Sequence, residues 1–511
     1  MRRRRLIVLV IALVAVVGAG AFAVMASDRV KGSASQTAAA YFDAWRKGDV
    51  SRMARLAYQP PADFAVRHYR LTEDLHVESI KLTPGQLKST GEGAAEVPFA
   101  GVRQLAQFGA WPFDSTLRLG VRDRAWKVLW APETLHPLLK DGGTLELDEI
   151  DAAAAELVTS EGDRIPNDSY ADSYLNQLKP EFAQAGHGWE LVSKIPGQPV
   201  RQLMTRQPKA NVERTTLSRS VQAAAARALD GVDDSTIIAI RPSTGEILAL
   251  ADRLKDNYSA VRDVFPPGSV FKTITAAALL ANGLDPAAQV QCPGTYTIPF
   301  HRPFDNDGKV DRGLVSFTDA YAYSCNTTFV EQATTRLTAD QLRETADEWG
   351  FGRPIATGIG GTCGTMPDTD DQDVFGADAI GQGQVVATPL CMAALAAAVQ
   401  SGTWRSPRLL SESQVRRIDG APHKDVPMDG QVVAALRGMM AAVVDHGTAS
   451  DMGLPEGVAG KTGTAEVDDG DGSHGWFIGY RDDLAFCVFV RHGGSGRQAA
   501  VPVAARFLNG L

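Results

Sequence analysis

Three short motifs in the C-terminal part of the chain carry residue types that could support a serine nucleophile. They are Ser-Val-Phe-Lys at 269–272, Ser-Cys-Asn at 324–326 and Lys-Thr-Gly at 461–463. A serine hydroxyl attacks carbonyl carbon only when a nearby base accepts its proton, and a lysine can be that base if it is neutral. Each motif alone is a weak signal, but chance would give all three in this order in fewer than about one in a hundred chains of this composition, so the combination is a strong one.

The first motif is expected to place a serine and a lysine on one helical turn. Residues 266–268, Pro-Pro-Gly, cannot continue a helix and residues 270–280 can, so Ser269 is predicted at a helix N-terminus. Its oxygen there faces unpaired N–H groups and the positive end of the helix dipole. Lys272 follows on the same face, and burial or the second cation Lys461 would hold it neutral. The alternative is a serine N-cap followed by a solvated lysine.

The second motif is predicted to lie on a short connector between helices at 317–323 and 327–337. Such a connector can direct two polar side chains into a cleft. Ser324 would pass a proton to a leaving amine, and Asn326 would hydrogen-bond a substrate amide and Lys272. The alternative is that Ser324 or Asn326 only caps the following helix.

The third motif, Lys461, Thr462 and Gly463, lies with Thr464 inside a strand pattern. A strand glycine often marks close approach of another backbone, here expected to be a substrate peptide lying antiparallel to the strand. Lys461 and the hydroxyls of Thr462 and Thr464 suit a terminal carboxylate. The backbone N–H groups of Ser269 and Thr464 would form an oxyanion hole, each donor contributing ~3 kcal/mol to transition-state stabilisation. The alternative is an ordinary strand with an exposed lysine.

A mixed helix-and-sheet domain from residue 212 onward is expected to position these motifs. Helical patterns at 221–229 and 501–508 lie at its two ends. Strand patterns lie at both ends as well, at 237–240, 247–251, 458–467, 475–481 and 484–491. The sequence therefore predicts one five-stranded sheet, with residues 269–446 forming the other wall of a cleft.

The N-terminus has the pattern of an export segment. Four arginines at positions 2–5 precede an uncharged apolar run, residues 6–26, which is long enough to span a bilayer as a helix. The basic flank predicts a cytoplasmic tail, residues 1–5, and a single-pass anchor with the remainder outside the cell membrane. A cleaved signal peptide is the alternative, because residues 21–23, Ala-Phe-Ala, fit a small-x-small cleavage pattern.

Two further regions lie between the anchor and residue 212. Residues 35–58 suggest two amphipathic helices broken at Lys47, Gly48 and Asp49. Alternating patterns then predict strands of a curved sheet at 76–82, 96–99, 115–121 and 126–130. Residues 141–211 are less regular and are interpreted as a linking module.

The region 33–140, closing with residues 126–132 and then His136 and Pro137, resembles the extension domain of the methicillin-resistance type of penicillin-binding protein. The resemblance implies a cone-shaped nuclear transport factor two-like α+β fold. A stalk with no chemistry of its own is the favoured role for this domain.

Residues 212–511 resemble the transpeptidase domain of class B penicillin-binding proteins. Besides the three motifs, the resemblance rests on residues 266–272, 324–328, 381–383, 388–389, 447–449, 460–466 and 476–480. It implies an α+β multi-domain protein whose catalytic domain has the penicillin-binding and serine β-lactamase-like fold, with a five-stranded antiparallel sheet flanked by helices. No cofactor is implied.

The resemblance also implies an activity, that of a peptidoglycan D,D-transpeptidase. Ser269 would attack D-alanyl-D-alanine stem peptides, D-alanine would leave, and the amine of a neighbouring chain would take the acyl group. β-Lactam antibiotics mimic the dipeptide and would stay attached. A membrane glycosyltransferase of the cell-wall machinery would be a protein partner.

Two departures from the family and several rival functions bear on this expectation. No glycosyltransferase-sized segment precedes residue 212, which argues against a bifunctional class A enzyme, and the pedestal signature Arg-Gly-x-Ile-x-Asp-Arg-x-Gly is missing. A D,D-carboxypeptidase shares the fold and remains open as an alternative. A β-lactamase also shares it but must deacylate quickly, and the Glu-x-x-Leu-Asn loop of class A β-lactamases is missing between residues 324 and 461. A β-lactam-sensing receptor would carry more membrane helices, and a scaffold without turnover would not need intact motifs. The motifs do not distinguish a role in division, elongation, sporulation or resistance.

The composition is that of a globular protein and gives no support for a nucleic-acid-binding or a metal-binding protein. With 44% hydrophobic and 22% charged residues over 511 positions, the chain is an ordinary globular protein of two to four domains. Its net charge of −9 gives no general attraction to nucleic acid. The nine histidines include no pair at metal-ligand spacing, so no metal site is assigned.

The five cysteines are an odd number, so at least one is unpaired within a monomer. Cys292 and Cys363 lie in glycine-rich loop contexts and could pair. The other three sit beside apolar patterns and are predicted to be buried thiols: Cys325, Cys391 and Cys487.

Overall fold

The computed structural model describes most of the chain after the N-terminal segment: residues 30–151, 155–182, 187–209, 211–467 and 472–511. The predicted tail 1–5 and membrane anchor 6–26 therefore lie outside the described residues. Within the described ranges, no helix combines the length and the apolar character needed to cross a membrane.

The described residues belong to two compact units. The first is drawn from Met1–Ala153 and Gln184–Ala210, and the second from Ala154–Ala183 and Asn211–Leu511. The stretch 141–211, interpreted above as one linking module, is thus shared between the two units.

The first unit begins with three helices: α1 (Ala34–Arg46), α2 (Val50–Leu56) and α3 (Phe64–Asp74). The side chain of Ser33 caps α1 by accepting a hydrogen bond from Gln36 N, and Gly48 turns the chain with φ +67° before α2. The two helices predicted within 35–58 are present. α3 is not among the helices predicted from the sequence.

Two antiparallel sheets complete the first unit. One has the order β1-β3-β4-β5, with β2 paired to β3, and the other has the order β6-β8-β9. The strands are β1 (Val77–Pro84), β2 (Lys88–Gly91), β3 (Ala94–Leu105), β4 (Gly109–Arg122), β5 (Ala125–Val128), β6 (Thr144–Ile150), β8 (Gly188–Lys194) and β9 (Arg201–Arg206). Tyr41, Phe42 and Trp45 of α1 pack in one core with Phe99 and Leu117 of the larger sheet.

The second unit is built on a five-stranded antiparallel sheet, as predicted, with the order β12-β11-β23-β22-β21. Its strands are β11 (Ser235–Arg241), β12 (Glu246–Asp252), β21 (Ala459–Glu466), β22 (Ser473–Arg481) and β23 (Leu484–Val490). Residues of both alternating sets are buried in β11, β22 and β23, which is why these strands read as continuous apolar runs. β21 is an edge strand, so one row of its backbone groups is not paired within the sheet.

The helices of the second unit cover this sheet and build the wall beside β21. They are α4 (Asp172–Leu178), α5 (Arg219–Ala228), α6 (Lys272–Ala281), α7 (Phe317–Ala322), α8 (Asn326–Arg336), α9 (Ala339–Glu348), α10 (Gln372–Asp378), α11 (Pro389–Ser401), α12 (Glu412–Ile418), α13 (Gly430–Asp445) and α14 (Gly496–Asn509). α5 and α14 pack against each other and the sheet, while α11 packs against β11, β22 and β23. α13 packs against both α6 and α7.

Short strand pairs join the helices of the second unit. They are β7 (Glu156–Val158) with β10 (Val212–Arg214), β13 (Gln289–Cys292) with β16 (Gly313–Ser316), β14 (Thr295–Thr297) with β15 (Pro303–Asp305), β17 (Gly364–Thr365) with β18 (Val386–Ala387), and β19 (Thr403–Trp404) with β20 (Val426–Pro427).

The cysteines pair differently from the prediction. Disulfides join Cys292 to Cys325 and Cys363 to Cys391, so the suggested Cys292 to Cys363 pairing is wrong. Cys325 and Cys391 are buried as expected, but as half-cystines rather than thiols. Cys487 is a buried free thiol, as predicted. Sequence spacing does not encode these pairings, because each disulfide joins segments brought together only by the fold.

Candidate active site

Ser269 lies in a tightly packed turn at the start of a buried helix. Gly268–Phe271 form a 3₁₀ turn that leads directly into α6. Gly268 has φ +54°, in the left-handed region that favours glycine, and a Cβ there would lie 2.3 Å from Thr464 O. Ser269 itself is partly exposed. The turn therefore holds the serine at the surface of the cleft while its own backbone contacts β21.

A loop at residues 381–383 secures this turn. Gly268 N donates to Gly381 O at 2.8 Å, and a Cβ on Gly381 would lie 2.0 Å from Gly268 O. Gln382 Nε2 donates to Thr464 O at 3.3 Å. The loop thus contacts both the turn before Ser269 and the strand of the third motif. The residue pattern alone gave this loop no role.

Lys272 is the first of two fully buried lysines at the site. Its Nζ donates to Ser324 O at 2.7 Å, to Ser324 Oγ at 3.3 Å and to Asn326 Oδ1 at 2.6 Å. No hydrogen bond joins it to Ser269 in the part of the chain that the structure describes. Burial, reinforced by the nearby charge of Lys461, lowers the pKa of Lys272 well below its usual value. The environment therefore favours the neutral amine that a general base requires.

Lys461 is the second buried lysine, and it reaches the same hydroxyl. Its Nζ donates to Ser324 Oγ at 3.0 Å and to Thr462 O at 3.0 Å. Burial lowers the pKa of Lys461 to about 7. Ser324 Oγ is thus within hydrogen-bond distance of both amines, which gives a proton a short route between Lys272 and Lys461.

The second motif adopts an unusual backbone conformation. Ser324 has φ +60°, which is uncommon for a residue other than glycine, asparagine or aspartate. It lies between α7 and α8, and Asn326 is the first residue of α8 rather than a connector residue. Asn326 Nδ2 donates to Asp305 O at 2.9 Å, which leaves its Oδ1 oriented toward Lys272.

The hydroxyls of the third motif are partly engaged within the chain. Thr462 Oγ1 is hydrogen-bonded to Thr448 Oγ1, and Thr464 Oγ1 accepts from Gly496 N at 3.2 Å. Arg497 Nη1 donates to the backbone oxygen of Thr448 at 2.7 Å, so a cation also contacts the residue that is hydrogen-bonded to Thr462. A hydroxyl that accepts from a backbone amide still has its own hydrogen to donate to a bound carboxylate.

Gly463 is required by the protein's own packing. A Cβ at this position would lie 2.9 Å from Val270 Cγ1, 3.0 Å from Pro267 O and 3.1 Å from Trp476 Cβ. The sequence suggested that this glycine clears space for a substrate backbone. The structure instead fills that space with the segment that carries Ser269.

Cys325, the middle residue of the second motif, is covalently held. Its disulfide partner Cys292 is the last residue of β13, and the two Cα atoms are 6.0 Å apart. β13 pairs with β16, which directly precedes α7. The disulfide therefore ties the segment carrying Ser324 and Asn326 to this strand pair.

Replacing both cysteines, Cys292→Ala with Cys325→Ala, is expected to lower the free energy of unfolding by about 3 to 4 kcal/mol, because the cross-link closes a loop spanning a separation of 33 residues. Acylation by penicillin should slow at the same time, since Ser324 loses its tether. Urea denaturation and labelling kinetics measure the two effects. The matched control is Cys363→Ala with Cys391→Ala. It removes a disulfide that closes a loop of similar length, but it changes no residue of the three motifs. Equal acylation rates in the two double variants would contradict the expected link to the site.

The two lysines also predict a pH dependence of acylation. A lysine with a depressed pKa loses its charge at a lower pH than an ordinary lysine does. Lys461 is therefore protonated below about pH 7 and neutral above it. Lys272, whose pKa is also lowered, must lose its proton to act as a base. We expect the rate of penicillin acylation to rise with pH at first, as Lys272 becomes neutral. The rate should then fall as pH increases through about 7, because Lys461 loses its charge. Stopped-flow acylation across this range tests it, and Lys461→Arg, which keeps the charge, should remove the descending limb. A wild-type rate that still climbs far above the pKa of Lys461 would contradict the assignment.

Two family descriptions match the chain. One, the penicillin binding protein transpeptidase domain, matches residues 235–509, and the other, the NTF2-like N-terminal transpeptidase domain, matches residues 33–143. The first match contains all three motifs and covers just over half of the chain. The second covers α1 to α3 and the larger sheet of the first unit.

Relatives are found among characterised bacterial proteins. Over 360 residues the chain is 30% identical to peptidoglycan D,D-transpeptidase PbpA of Mycobacterium tuberculosis, covering 58% of this chain and 72% of that protein. Over 355 residues it is 28% identical to peptidoglycan D,D-transpeptidase MrdA of Acinetobacter baumannii, covering 56% of this chain and 52% of that protein.

A solved structure is similar in fold. Penicillin-binding protein A from M. tuberculosis, determined as its penicillin G acyl-enzyme complex, superposes with a TM-score of 0.51 at 26% sequence identity. The superposition covers 60% of this chain and 81% of that one.

Proposed function

Because the chain belongs to the penicillin binding protein transpeptidase family, we propose that it is a peptidoglycan D,D-transpeptidase whose nucleophile is Ser269. The observation that carries the proposal is the meeting of the three motifs at Ser324, whose hydroxyl lies within hydrogen-bond distance of Lys272 and Lys461. Both lysines are buried and have lowered pKa values. The structure does not require two such lysines to contact one hydroxyl, whereas proton transfer between them does.

Acylation would proceed in two stages, attack to form a tetrahedral oxyanion and then release of the leaving group. Lys272 takes the proton from Ser269 Oγ, and the oxygen attacks the carbonyl carbon of the D-alanyl-D-alanine bond. The backbone N–H groups of Ser269 and Thr464 stabilise the oxyanion. Ser324 passes its proton to the amide nitrogen, the C–N bond breaks, and D-alanine leaves. Lys272 returns the proton it took from Ser269 to the Ser324 oxygen, so both groups regain their starting protonation. The product is an ester between the stem peptide and the serine.

Transfer reverses these steps with a new nucleophile. The amine of a neighbouring stem peptide attacks the ester carbonyl, and its proton returns through Lys272 to Ser269 Oγ. A cross-linking amide forms and the serine is regenerated. A carboxylate at the donor's end would interact with Lys461 and with the hydroxyls of Thr462 and Thr464, and the free edge of β21 would pair with the extended peptide.

β-Lactams would inhibit by the same attack. Opening the four-membered ring forms the serine ester, but the departing nitrogen stays attached to the acyl group and remains in the cleft. Incoming amine or water is then excluded, so the ester persists. The penicillin G acyl-enzyme of the M. tuberculosis relative supports this for the family.

Product analysis tests the proposal against its rivals on the same fold. The full chain is incubated with a stem-peptide donor and an amine acceptor. The products are then separated and identified by mass spectrometry. We expect a cross-linked dimer with release of D-alanine. Only hydrolysed donor at saturating acceptor would assign a D,D-carboxypeptidase, and multiple turnovers of penicillin would assign a β-lactamase. Acylation by penicillin with no donor consumed would assign a sensor.

The placement of the enzyme is part of the proposal. Residues 6–26 would anchor the chain, with a cytoplasmic tail at 1–5, an extension domain at 33–140, a linking module at 141–211 and the catalytic domain at 212–511 outside the membrane. The two disulfides support an oxidising compartment for the catalytic domain. In that position the protein would meet its peptidoglycan substrate and a membrane glycosyltransferase partner.

A further inference from the structure

The larger sheet of the first unit contains an arginine where the strand pattern calls for an apolar residue. β3 buries alternate residues, and Arg103 occupies one of these positions between Phe99 and Leu105. Only 3% of its surface is exposed. An unpaired charge is costly to bury, so such a residue needs a counter-charge or a function.

Among the residues that the structure describes, the surroundings of Arg103 supply contacts but no counter-charge. Nη2 donates to Leu135 O at 2.7 Å, whereas Nη1 is buried and has no hydrogen-bond partner within the described ranges. The guanidinium lies 4.1 Å from the ring centre of Phe113. Gly101 makes this possible, because a Cβ there would lie 2.3 Å from that ring. Burial lowers the pKa of Arg103 to about 9, with no carboxylate to oppose it.

A second buried side chain interacts electrostatically with the same cation. His68 of α3 is 7% exposed, and its Nε2 has no hydrogen-bond partner among the residues that the structure describes. Burial and the charge of Arg103 lower the pKa of His68 to about 4, so the imidazole is neutral at pH 7 and one ring nitrogen carries a hydrogen. Phe64, at 4.7 Å, and Trp45, at 6.0 Å between ring centres, surround it. In the tautomer that carries its hydrogen on Nε2, His68 adds a second donor to that of Arg103 in an apolar setting.

Arg103 and His68 line one cavity of about 940 Å³ within the first unit. This volume is in the range of sites for small organic ligands. Apolar side chains form much of its wall: Trp45, Met53, Leu71 and Ile80. Charged side chains also line it, two basic and two acidic: Arg46, Lys47, Glu73 and Glu78.

We propose that this cavity binds an organic carboxylate, whose two oxygens accept from Arg103 Nη1 and His68 Nε2 while its apolar body contacts Trp45 and Ile80. One free guanidinium nitrogen and one imidazole N–H match the two oxygens of a carboxylate, and a buried guanidinium is the preferred partner of that group. The extension domain would then be a ligand-binding module rather than a stalk. This inference does not depend on the chemistry of Ser269.

Benzoate is a suitable probe, because it joins a carboxylate to a planar apolar body, and benzamide is its neutral isostere. The full chain is used without prior acylation, because Arg103→Met changes no residue of the catalytic cleft and therefore reports on this cavity alone. Calorimetric titration should then show saturable binding of benzoate, with benzamide at least tenfold weaker. Arg103→Met should abolish benzoate binding. Arg118→Met, at an exposed arginine of β4 in the same sheet, is the matched control and should bind as the wild type does.

His68 provides a second route if Arg103→Met does not fold. His68→Leu removes the donor and should weaken benzoate at least tenfold, whereas His68→Gln keeps a donor and should retain binding. Penicillin labelling of each variant should remain at the wild-type level, which separates this site from the proposed catalytic function. No saturable benzoate binding by the wild type, or equal binding of benzamide, would overturn the proposal.

Discussion

Ser269→Ala is expected to abolish covalent labelling by a fluorescent penicillin. The variant lacks the only atom that forms the ester, and loss of a serine nucleophile typically lowers acyl-transfer rates by roughly 10⁴-fold or more. The turn that carries residue 269 should keep its shape, because Gly268 and Gly381 set it through their backbones. Labelling on gels and the mass of the intact adduct measure the result.

The matched control for this variant is Ser413→Ala, at an exposed serine of α12 in the same unit. It should label as the wild type does. Equal labelling of the two alanine variants, or none in the wild type, would falsify the assignment of Ser269 as nucleophile. Digestion of the labelled wild type should also place the adduct on the peptide that contains residues 266–272.

Lys272→Met is expected to lower the acylation rate by about 10³-fold, the usual contribution of a positioned general base. Methionine has a similar length and is apolar, so it suits a fully buried position. Its cost is that Ser324 O and Asn326 Oδ1 each lose a donor. Stopped-flow acylation and circular dichroism together separate this effect from unfolding.

The control for the lysine variant is Lys255→Met, which removes an exposed lysine that pairs with Asp233. Surface ion pairs contribute little to stability, so both activity and fold should be unchanged. A Lys272→Met rate within tenfold of the wild type would show that another group accepts the proton. Ser324 and Lys461 would then be the groups to replace next, because both lie on the same hydrogen-bond path.

The catalytic fold could be predicted because its signals are local. Apolar runs bounded by turns specify β11, β12 and β23 within a few residues, and each motif is a contiguous stretch. The order of the strands is not predicted, because it depends on the pairing of β11 with β23, which are far apart in the sequence. Local signals do not show which distant side chains come into contact. No sequence pattern indicates that Ser324 lies between two lysines that are 52 and 137 residues away in the chain.

Contacts between distant segments account for what the sequence did not indicate. The packing of Gly268 against Gly381 and Thr464 depends on three separate elements, so no single stretch reveals it. The same holds for the disulfide partners of Cys325 and Cys391. In the first unit, β6, β8 and β9 fall in a stretch of weak periodicity interrupted by a segment of the second unit. Pairing across such an interruption leaves no periodic signal.

The cross-link at Cys325 has a consequence for when the enzyme becomes competent. A newly made chain has free thiols, and disulfides persist only where the surroundings are oxidising. The segment holding Ser324 and Asn326 thus acquires its covalent support after synthesis, in a separate chemical event. Completion of the site is in this way a chemical step separate from chain synthesis, and it requires surroundings that oxidise thiols.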